Sequence, residues 1–263
     1  MNKRFLLLFF KKEDFFLRCH LLLADVASHT HLVLIPSYNT GPGLALTVAQ
    51  ALRHWQPVWV VIDGSTDRSD TELSHGAGLR IIHRAHNGGK GAAVLDGLRA
   101  AGAAGFTHVL VMDADGQHPD GEIANFMEIS QQNPAAMILG QPIFDATAPR
   151  IRILGRRISN VLARLETTQN IGDALFGFRI YPLAALLATM EATRHMRRYD
   201  FDTEAVVRLC WRGINPINRP VPVRYLTKDQ GGISHFRYGR DNLRLAAMHL
   251  RLIAEALFRP WRR

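Results

Sequence analysis

Short apolar runs alternate with stretches of helix length along the chain from about residue 31 onward. The apolar runs have the length of strands, and polar loops follow several of them. A repeated order of strand, loop and helix predicts an α/β fold, with a mostly parallel sheet flanked by helices. The predicted strands are His31–Ile35, Val58–Ile62, Leu79–Ile82, His108–Met112 and Ala136–Leu139, and the first predicted helices are Gly43–Trp55 and Lys90–Ala104.

Beyond residue 142 the alternation becomes less regular. Here the pattern predicts a helix over Ile151–Leu165, a strand over Asp173–Tyr181 and a helix over Asp202–Arg212 that Gly213 ends. Pro216–Tyr225 is predicted to be extended and to lie at a sheet edge, because prolines suit edge strands.

The last predicted helix follows Gly231 and Gly232 and is amphipathic. Its apolar positions recur every three or four residues, which predicts one stripe whose first half packs on the domain. The stripe consists of Leu243, Ala246, Ala247, Leu250, Ile253, Ala254 and Leu257.

The chain is predicted to contain one folded domain between two terminal segments, namely an extension over residues 1–30, the domain over 31–236, and a basic helix and tail over 237–263. The apolar run Phe5–Phe10 is too short to span a bilayer, and no convincing cleavage site follows it.

The net charge of +9 and the pI near 10.1 favour an anionic partner, which includes nucleic acid, an anionic membrane surface and phosphorylated substrates. Nucleic acid is disfavoured, because the basic segments lack interleaved aromatic residues. The tail Phe258–Arg263 combines an aromatic pair with arginines and is predicted to adhere to anionic lipid. We therefore expect a cytoplasmic protein that is peripheral on the inner face of the membrane.

Asp113 and Asp115 directly follow a predicted buried strand. Side chains two residues apart on a strand project the same way, so both carboxylates can reach one Mg²⁺ or Mn²⁺ while a nucleotide diphosphate completes its coordination. Gln117 and His118 lie in the same loop. The alternative interpretation is a surface turn, since Asp and Gly favour turns.

Two further loops belong to the same predicted sheet edge. Asp63 ends a strand and is suited to accept an N–H group of a nucleotide base, on whose ring Tyr38 can stack. The alternative is a turn that caps the helix near Asp67. The loop Asn87–Gly91 lacks the Ser or Thr of a P-loop, which leaves a glycine-rich helix start whose Lys90 can contact phosphate or ribose.

Together these motifs resemble family 2 glycosyltransferases with the Rossmann-like GT-A fold, and the dolichyl-phosphate mannosyltransferase-like branch most closely. The matching segments are Pro36–Asn39, Val61–Asp67, Asn87–Ala93 and Met112–Pro119, and later Asp173–Arg179 and Phe201–Glu204. The segment Gly231–Arg237 is similar to that of glycosyltransferases from aryl polyene gene clusters. Ile62 is a departure, because the family usually has a second Asp there.

The resemblance implies a donor site and a metal site. The donor-binding residues would be Pro36, Tyr38, Asn39, Asp63, Lys90 and Gly91, and the residues that hold Mg²⁺ or Mn²⁺ would be Asp113, Asp115 and Gln117. It further implies transfer of a sugar, with inversion, from a nucleotide diphosphate sugar to a lipid-like or amphipathic acceptor.

If the acceptor is a hydroxyl, a carboxylate must take its proton. Asp173 is the first candidate for this base, followed by Asp202 and Glu204, although Asp202 is also suited to cap a helix and Glu204 to favour its dipole. Two rival functions remain open at this point. They are a phosphohydrolase with Asp113 as nucleophile and a non-catalytic basic membrane-binding module.

Overall fold

The computed structural model describes residues 28–73, 76, 78–144, 150–223 and 238–258. A seven-stranded sheet runs through the domain in the order β3-β2-β1-β4-β6-β5-β7. β6 is antiparallel to both of its neighbours, and all other neighbouring pairs are parallel. The strands are β1 (His31–Ser37), β2 (Val58–Asp63), β3 (Leu79–Arg84), β4 (His108–Val111), β5 (Met137–Ile143), β6 (Arg179–Pro182) and β7 (Pro216–Pro222).

Helices cover both faces of this sheet, which confirms the predicted GT-A class of fold. Successive residues of β1 serve opposite faces, so that Leu32 and Leu34 pack in one core layer and Val33 and Ile35 in the other. A strand covered on both sides has to be apolar throughout, which explains the uninterrupted runs in the sequence. The helices are α1 (Gly43–His54), α2 (Lys90–Ala103), α3 (Ile123–Gln132), α4 (Arg150–Thr167), α5 (Leu183–Glu191), α6 (Asp200–Trp211) and α7 (Tyr238–Leu257).

The predicted strand over Asp173–Tyr181 is wrong in its first six positions, because β6 begins only at Arg179. The carboxylate of Asp173 accepts hydrogen bonds from the backbone N–H groups of Leu175 and Phe176, at 2.8 and 2.7 Å. These bonds curl the chain into a loop, since the side chain of Asp173 competes with a strand partner for the backbone donors.

The predicted packing of α7 is also wrong. Six of the seven residues of the predicted apolar stripe are exposed, and Leu243, Leu250 and Leu257 keep 73%, 71% and 76% of their surface accessible. The helix instead buries Asp241, Met248, His249 and Leu252. The reason is that α4 offers polar partners to α7, as described below.

Several predictions fall outside the described residues. These are the N-terminal extension up to residue 27, the segment 224–237 with its two consecutive glycines, and the tail 259–263. The domain limits therefore stay predictions. Among the described residues, no helix combines the length and the apolar character needed to cross a bilayer.

Candidate active site

A cavity of about 990 Å³ opens at the carboxyl ends of β1, β2 and β4. In parallel sheets ligands bind at this edge, because the loops leave the strands there. Eight of the predicted site residues line the cavity, namely Pro36, Tyr38, Asp63, Lys90, Asp113, Asp115, Gln117 and Asp202. Residues of α4 and α7 form the opposite wall, among them Leu162 and Leu245.

Lys90 is the electrostatic centre of this cavity. Its Nζ atom lies 2.6 Å from Oδ1 of Asp113 and 2.8 Å from both carboxylate oxygens of Asp202. Burial disfavours the ammonium charge, but the two carboxylates outweigh it and raise the pKa of Lys90. Burial also opposes the charge of Asp113, yet Lys90 holds the pKa of Asp113 below its usual value. For Asp202 burial prevails and raises the pKa.

Gly177 brings the main chain against this ion pair. A Cβ atom at position 177 would lie 2.6 Å from Nζ of Lys90 and 2.8 Å from Oδ2 of Asp113. Only a residue without a side chain leaves both charged groups in place. A glycine is therefore needed at position 177 for a direct steric reason.

Asp115 differs from Asp113 in its surroundings. Its carboxylate accepts a hydrogen bond from the backbone N–H of Gln117 at 3.1 Å and lines the cavity. Burial, together with repulsion from Asp113, raises the pKa of Asp115 to about 6. The site thus holds two neighbouring carboxylates, and the attraction of Lys90 outweighs burial for Asp113 but not for Asp115.

His118 positions this loop. Its Nδ1 atom accepts a hydrogen bond from the backbone N–H of Asp113 at 2.9 Å, and its ring packs edge-on against Phe176 and Phe178. An accepting Nδ1 assigns the proton to Nε2, which lies 3.5 Å from Oδ2 of Asp113. Burial lowers the pKa of His118 to about 4, so the ring is neutral near pH 7.

Asp63 holds the glycine-rich loop. Its carboxylate accepts hydrogen bonds from the backbone N–H groups of Gly88 at 3.0 Å and Gly89 at 2.7 Å, and it also pairs with Arg84. Three of the roughly four acceptor positions of a carboxylate are thereby used. The side chain remains at the cavity wall, where one acceptor position is left.

Asn39 and Asp67 connect the first two loops from outside the cavity lining. The Asn39 backbone N–H donates to Oγ of Ser65 at 3.1 Å, and Oδ1 of Asn39 accepts from the Thr66 N–H at 2.8 Å. Oδ2 of Asp67 accepts from the Gly41 N–H at 2.8 Å. Asn39 therefore holds the loop that carries Tyr38, and Asp67 acts as a local turn residue.

The three predicted base candidates already have strong partners. Asp173 pairs with Arg156 at 2.6 Å and lies outside the cavity lining, and Asp202 is bound by Lys90. Glu204 is fully buried beneath α7, between Arg208 at 2.6 Å and Arg251 at 2.5 Å. The structure thus brings Asp202 into the cavity and leaves Asp173 and Glu204 outside it. Gly91 is likewise buried away from the cavity lining.

Sequence reasoning missed Arg179, which is fully buried. Its guanidinium donates to the backbone oxygen of Asp173 at 3.0 Å and to that of Asp202. It therefore ties the loop after residue 172 to the start of α6. Its place in the Asp-x-x-x-Gly-Phe-Arg segment was a signal, but its role depends on contacts that only the fold creates.

A second missed group joins α4 to α7. The Nε2 atom of His249 lies 2.8 Å from Oγ of Ser159, and its Nδ1 atom lies 2.7 Å from Oε1 of Glu166. All three residues are buried, with 6% of the surface of Ser159 and 4% each of those of His249 and Glu166 accessible. Separations of 83 and 90 residues along the chain explain why no motif announces the cluster.

Comparison with known proteins shows the relatives of this chain. It is 27% identical over 195 residues to the polyprenol monophosphomannose synthase of Mycolicibacterium smegmatis, which covers 70% of this chain and 72% of that protein. It is 24% identical to the undecaprenyl-phosphate mannosyltransferase of Micrococcus luteus, which covers 76% and 85%. Both agree with the predicted branch of the family.

The fold also matches solved structures. The glucosyl-3-phosphoglycerate synthase of Mycobacterium tuberculosis, in complex with Mn²⁺, UDP-glucose and phosphoglyceric acid, superposes with a TM-score of 0.62. The match covers 88% of this chain and 84% of that one at 17% identity, so it supports the fold alone. At the level of sequence, residues 32–188, more than half of the chain, match the family described as Glycosyl transferase family 2. The chain belongs to glycosyl transferase family 2 and is a glycosyltransferase.

Proposed function

We propose that this enzyme transfers a sugar from a nucleotide diphosphate sugar to a lipid-like, amphipathic acceptor, with inversion and with the help of Mg²⁺ or Mn²⁺. The observation that carries the proposal is the composition of one cavity. Its sheet wall offers Asp63, Lys90, Asp113 and Asp115, whereas its helical wall offers apolar side chains of α4 and α7. A donor with a charged diphosphate suits the first wall, and an apolar chain suits the second.

The residues present fit a divalent cation. Asp113 and Asp115 line the same cavity, and burial together with the charge of Asp113 raises the pKa of Asp115, which a bound cation would offset. No cluster of three or more His, Cys, Asp or Glu suited to a metal occurs among the described residues. Asp113 and Asp115, with Gln117 beside them, would therefore hold the cation together with donor phosphates. When bound, the cation neutralises charge that develops on the departing diphosphate.

The donor nucleotide would lie along β1 and β2. Asp63 has one acceptor position left for an N–H group of the base, and Tyr38 lines the cavity beside it. Pro36 and Asn39 shape the loop that carries Tyr38, and Gly91 shapes the start of α2. Lys90 binds Asp113 and Asp202, which places its ammonium group at the point where the diphosphate would lie.

The acceptor would approach between α4 and α7. Four residues of α4 form an exposed apolar stripe, namely Leu154, Ile158, Val161 and Leu165, and Leu154 and Ile158 also line the cavity. The names of the two relatives contain phosphorylated polyprenyl lipids, which supports a lipid-like acceptor.

The same two helices form the proposed contact with a membrane surface. They contain eight arginines and three acidic residues, and those acidic residues pair with basic groups or lie buried. Exposed leucines beside arginines suit the headgroup region of an anionic bilayer. We therefore infer a peripheral enzyme whose cavity opens toward the lipid.

Product analysis tests the proposed function. The enzyme would be incubated with labelled UDP-glucose or GDP-mannose, with Mn²⁺ or EDTA, and with farnesol or farnesyl phosphate. We expect label in the organic phase only when Mn²⁺ and an isoprenoid are both present. Release of free sugar phosphate would indicate a phosphohydrolase. Nucleotide or lipid binding that EDTA leaves unchanged, without turnover, would indicate a binding module.

A further inference from the structure

Ser159, His249 and Glu166 form a continuous hydrogen-bonded chain between α4 and α7. Ser159 and Glu166 are two helical turns apart on the same face of α4, and His249 of α7 inserts between them. The distances are 2.8 Å from Oγ of Ser159 to Nε2 and 2.7 Å from Nδ1 to Oε1 of Glu166. This geometry is that of a serine, histidine and carboxylate triad.

The carboxylate sets the proton positions in this chain. An ionised Glu166 can only accept, so Nδ1 of His249 carries the proton that it shares with Glu166. In the neutral ring Nε2 then has a lone pair and accepts the hydroxyl proton of Ser159. The arrangement draws proton density from Ser159 toward His249, while Glu166 stabilises the imidazolium that would result.

The chain opens onto the cavity at one end only. Ser159 and His249 line the cavity, but Glu166 does not and lies in the protein interior. The surrounding wall is apolar, with Leu162 and Leu245 beside the two polar side chains. A histidine and serine pair with a purely structural role needs no contact with the cavity. His31 and Ser130, 3.1 Å apart on the other side of the sheet, are such a pair and do not line it.

The need for such a group follows from the surroundings of the predicted bases. Asp173 is bound by Arg156, Asp202 by Lys90, and Glu204 by two arginines outside the cavity. Each of the three thus has a cationic partner, and only Asp202, which is bound by Lys90, lines the cavity. Ser159 and His249 lie in the helical wall itself, on the side where the acceptor would approach.

We propose that Ser159, His249 and Glu166 form a proton relay that activates an acceptor hydroxyl. The inference rests on the proposed glycosyl transfer and adds the class of the nucleophile, an alcohol rather than a phosphate. The acceptor oxygen forms its bond to the anomeric carbon as the bond from that carbon to the diphosphate oxygen breaks, and the bonding electrons leave with the diphosphate. The acceptor proton passes to Oγ of Ser159 as the Ser159 proton passes to Nε2 of His249. A phosphate acceptor is already ionised and needs no relay.

Matched acceptors test the relay directly. With farnesol as acceptor we expect Ser159→Ala to lower kcat by about 100-fold or more, the usual scale of general base catalysis, with little change in KM for the donor. With farnesyl phosphate the same variant should lose less than about threefold. Ser130→Ala is the control, because it removes the hydroxyl of the other buried histidine pair. Equal losses with both acceptors, or wild-type transfer to the phosphate alone, would overturn the proposal.

A second readout keeps the relay distinct from the transfer itself. A fluorophosphonate probe labels serines whose proton a histidine withdraws, so it should modify Ser159 of the full chain. Glu166→Gln keeps the size of the side chain but removes its charge and should slow labelling by about tenfold or more, and His249→Gln should abolish it. If no donor is turned over but Ser159 is labelled in this pattern, the proposed function fails, while the activation of Ser159 by His249 and Glu166 stands. An unlabelled Ser159 in folded protein contradicts the relay whatever the transfer assays show.

Discussion

The Nζ atom of Lys90 lies 2.6 Å from Oδ1 of Asp113, which joins the start of α2 to the loop after β4. The same ammonium group reaches Asp202 at the start of α6, so that one cation fixes three separate segments. Two partly or fully buried carboxylates depend on this cation for their charge. The site is therefore organised around Lys90.

Removing the ammonium group of Lys90 should destabilise the fold. We expect Lys90→Met to reduce the free energy of unfolding by about 3–5 kcal/mol, because it leaves buried negative charge without a partner. Urea denaturation measures the change. Arg99→Ala is the control, since Arg99 and Glu191 are about half exposed at 3.0 Å and such pairs contribute less than about 1 kcal/mol. A loss for Lys90→Met no larger than that of the control would show that Lys90 is not the electrostatic centre.

Cation affinity should depend on pH through Asp115. The raised pKa of about 6 means that Asp115 binds a proton below that pH, and the proton competes with Mn²⁺. We expect Mn²⁺ affinity, measured by calorimetry with a nucleoside diphosphate, to fall as the pH drops from about 7 to 5. A Mn²⁺ affinity that stays constant between these pH values would contradict this role of Asp115.

In the absence of a divalent cation, Asp115 should stabilise the fold more at low pH than at neutral pH. A carboxyl whose folded-state pKa is raised stabilises the fold when protonated, so its contribution decreases as the pH rises from about 4 to 6. The difference in free energy of unfolding between wild type and Asp115→Asn isolates this effect. A difference that does not change with pH would contradict the assigned pKa.

Gly177 should tolerate no side chain without loss of activity. Gly177→Ala places a methyl group 2.6 Å from Nζ of Lys90, and this flexible group must move. We expect a small change in thermal stability but a fall of about tenfold or more in kcat, because small displacements of catalytic groups have large effects. Gly155→Ala is the matched control, as a Cβ atom there meets nothing within 4 Å. Similar activity for both variants would exclude a role for this close approach.

The outward stripe of α7 should mediate membrane contact. We expect Leu250→Gln combined with Leu257→Gln to lower co-sedimentation with anionic liposomes, because each exposed leucine loses apolar area that the bilayer would bury. Nucleotide binding should not change. Leu46→Gln is the control, since Leu46 on α1 is also exposed, at 61%. Equal sedimentation of all three proteins would exclude this face as the lipid contact.

Most of the sheet and its loops were predictable, because continuous apolar strands and polar strand ends are local features of the sequence. Asp63, Lys90, Asp113 and Asp115 were placed at one edge by the rule that parallel strands share their carboxyl ends. The partners of these side chains were not predictable. Lys90 meets Asp202 across 112 residues, and such a contact leaves no periodic signal.

The apolar stripe on α7 shows a different limit of prediction from the sequence. Apolar periodicity identifies one face of a helix but not what covers that face. Here Ser159 and Glu166 of α4 bind His249, whose side of α7 is buried together with Met248 and Leu252, so the leucines of the stripe face outward. The sequence predicted the stripe correctly and its orientation wrongly.

The central claim is that Asp113 and Asp115 bind a nucleotide diphosphate donor through a divalent cation. Calorimetric titration of UDP and GDP, each with Mn²⁺ and with EDTA, tests it most directly. We predict that the wild type binds one of these nucleotides tightly only with Mn²⁺, and that Asp115→Asn loses that binding while its unfolding transition stays cooperative. Binding of equal strength with EDTA, or in the variant, would contradict the account.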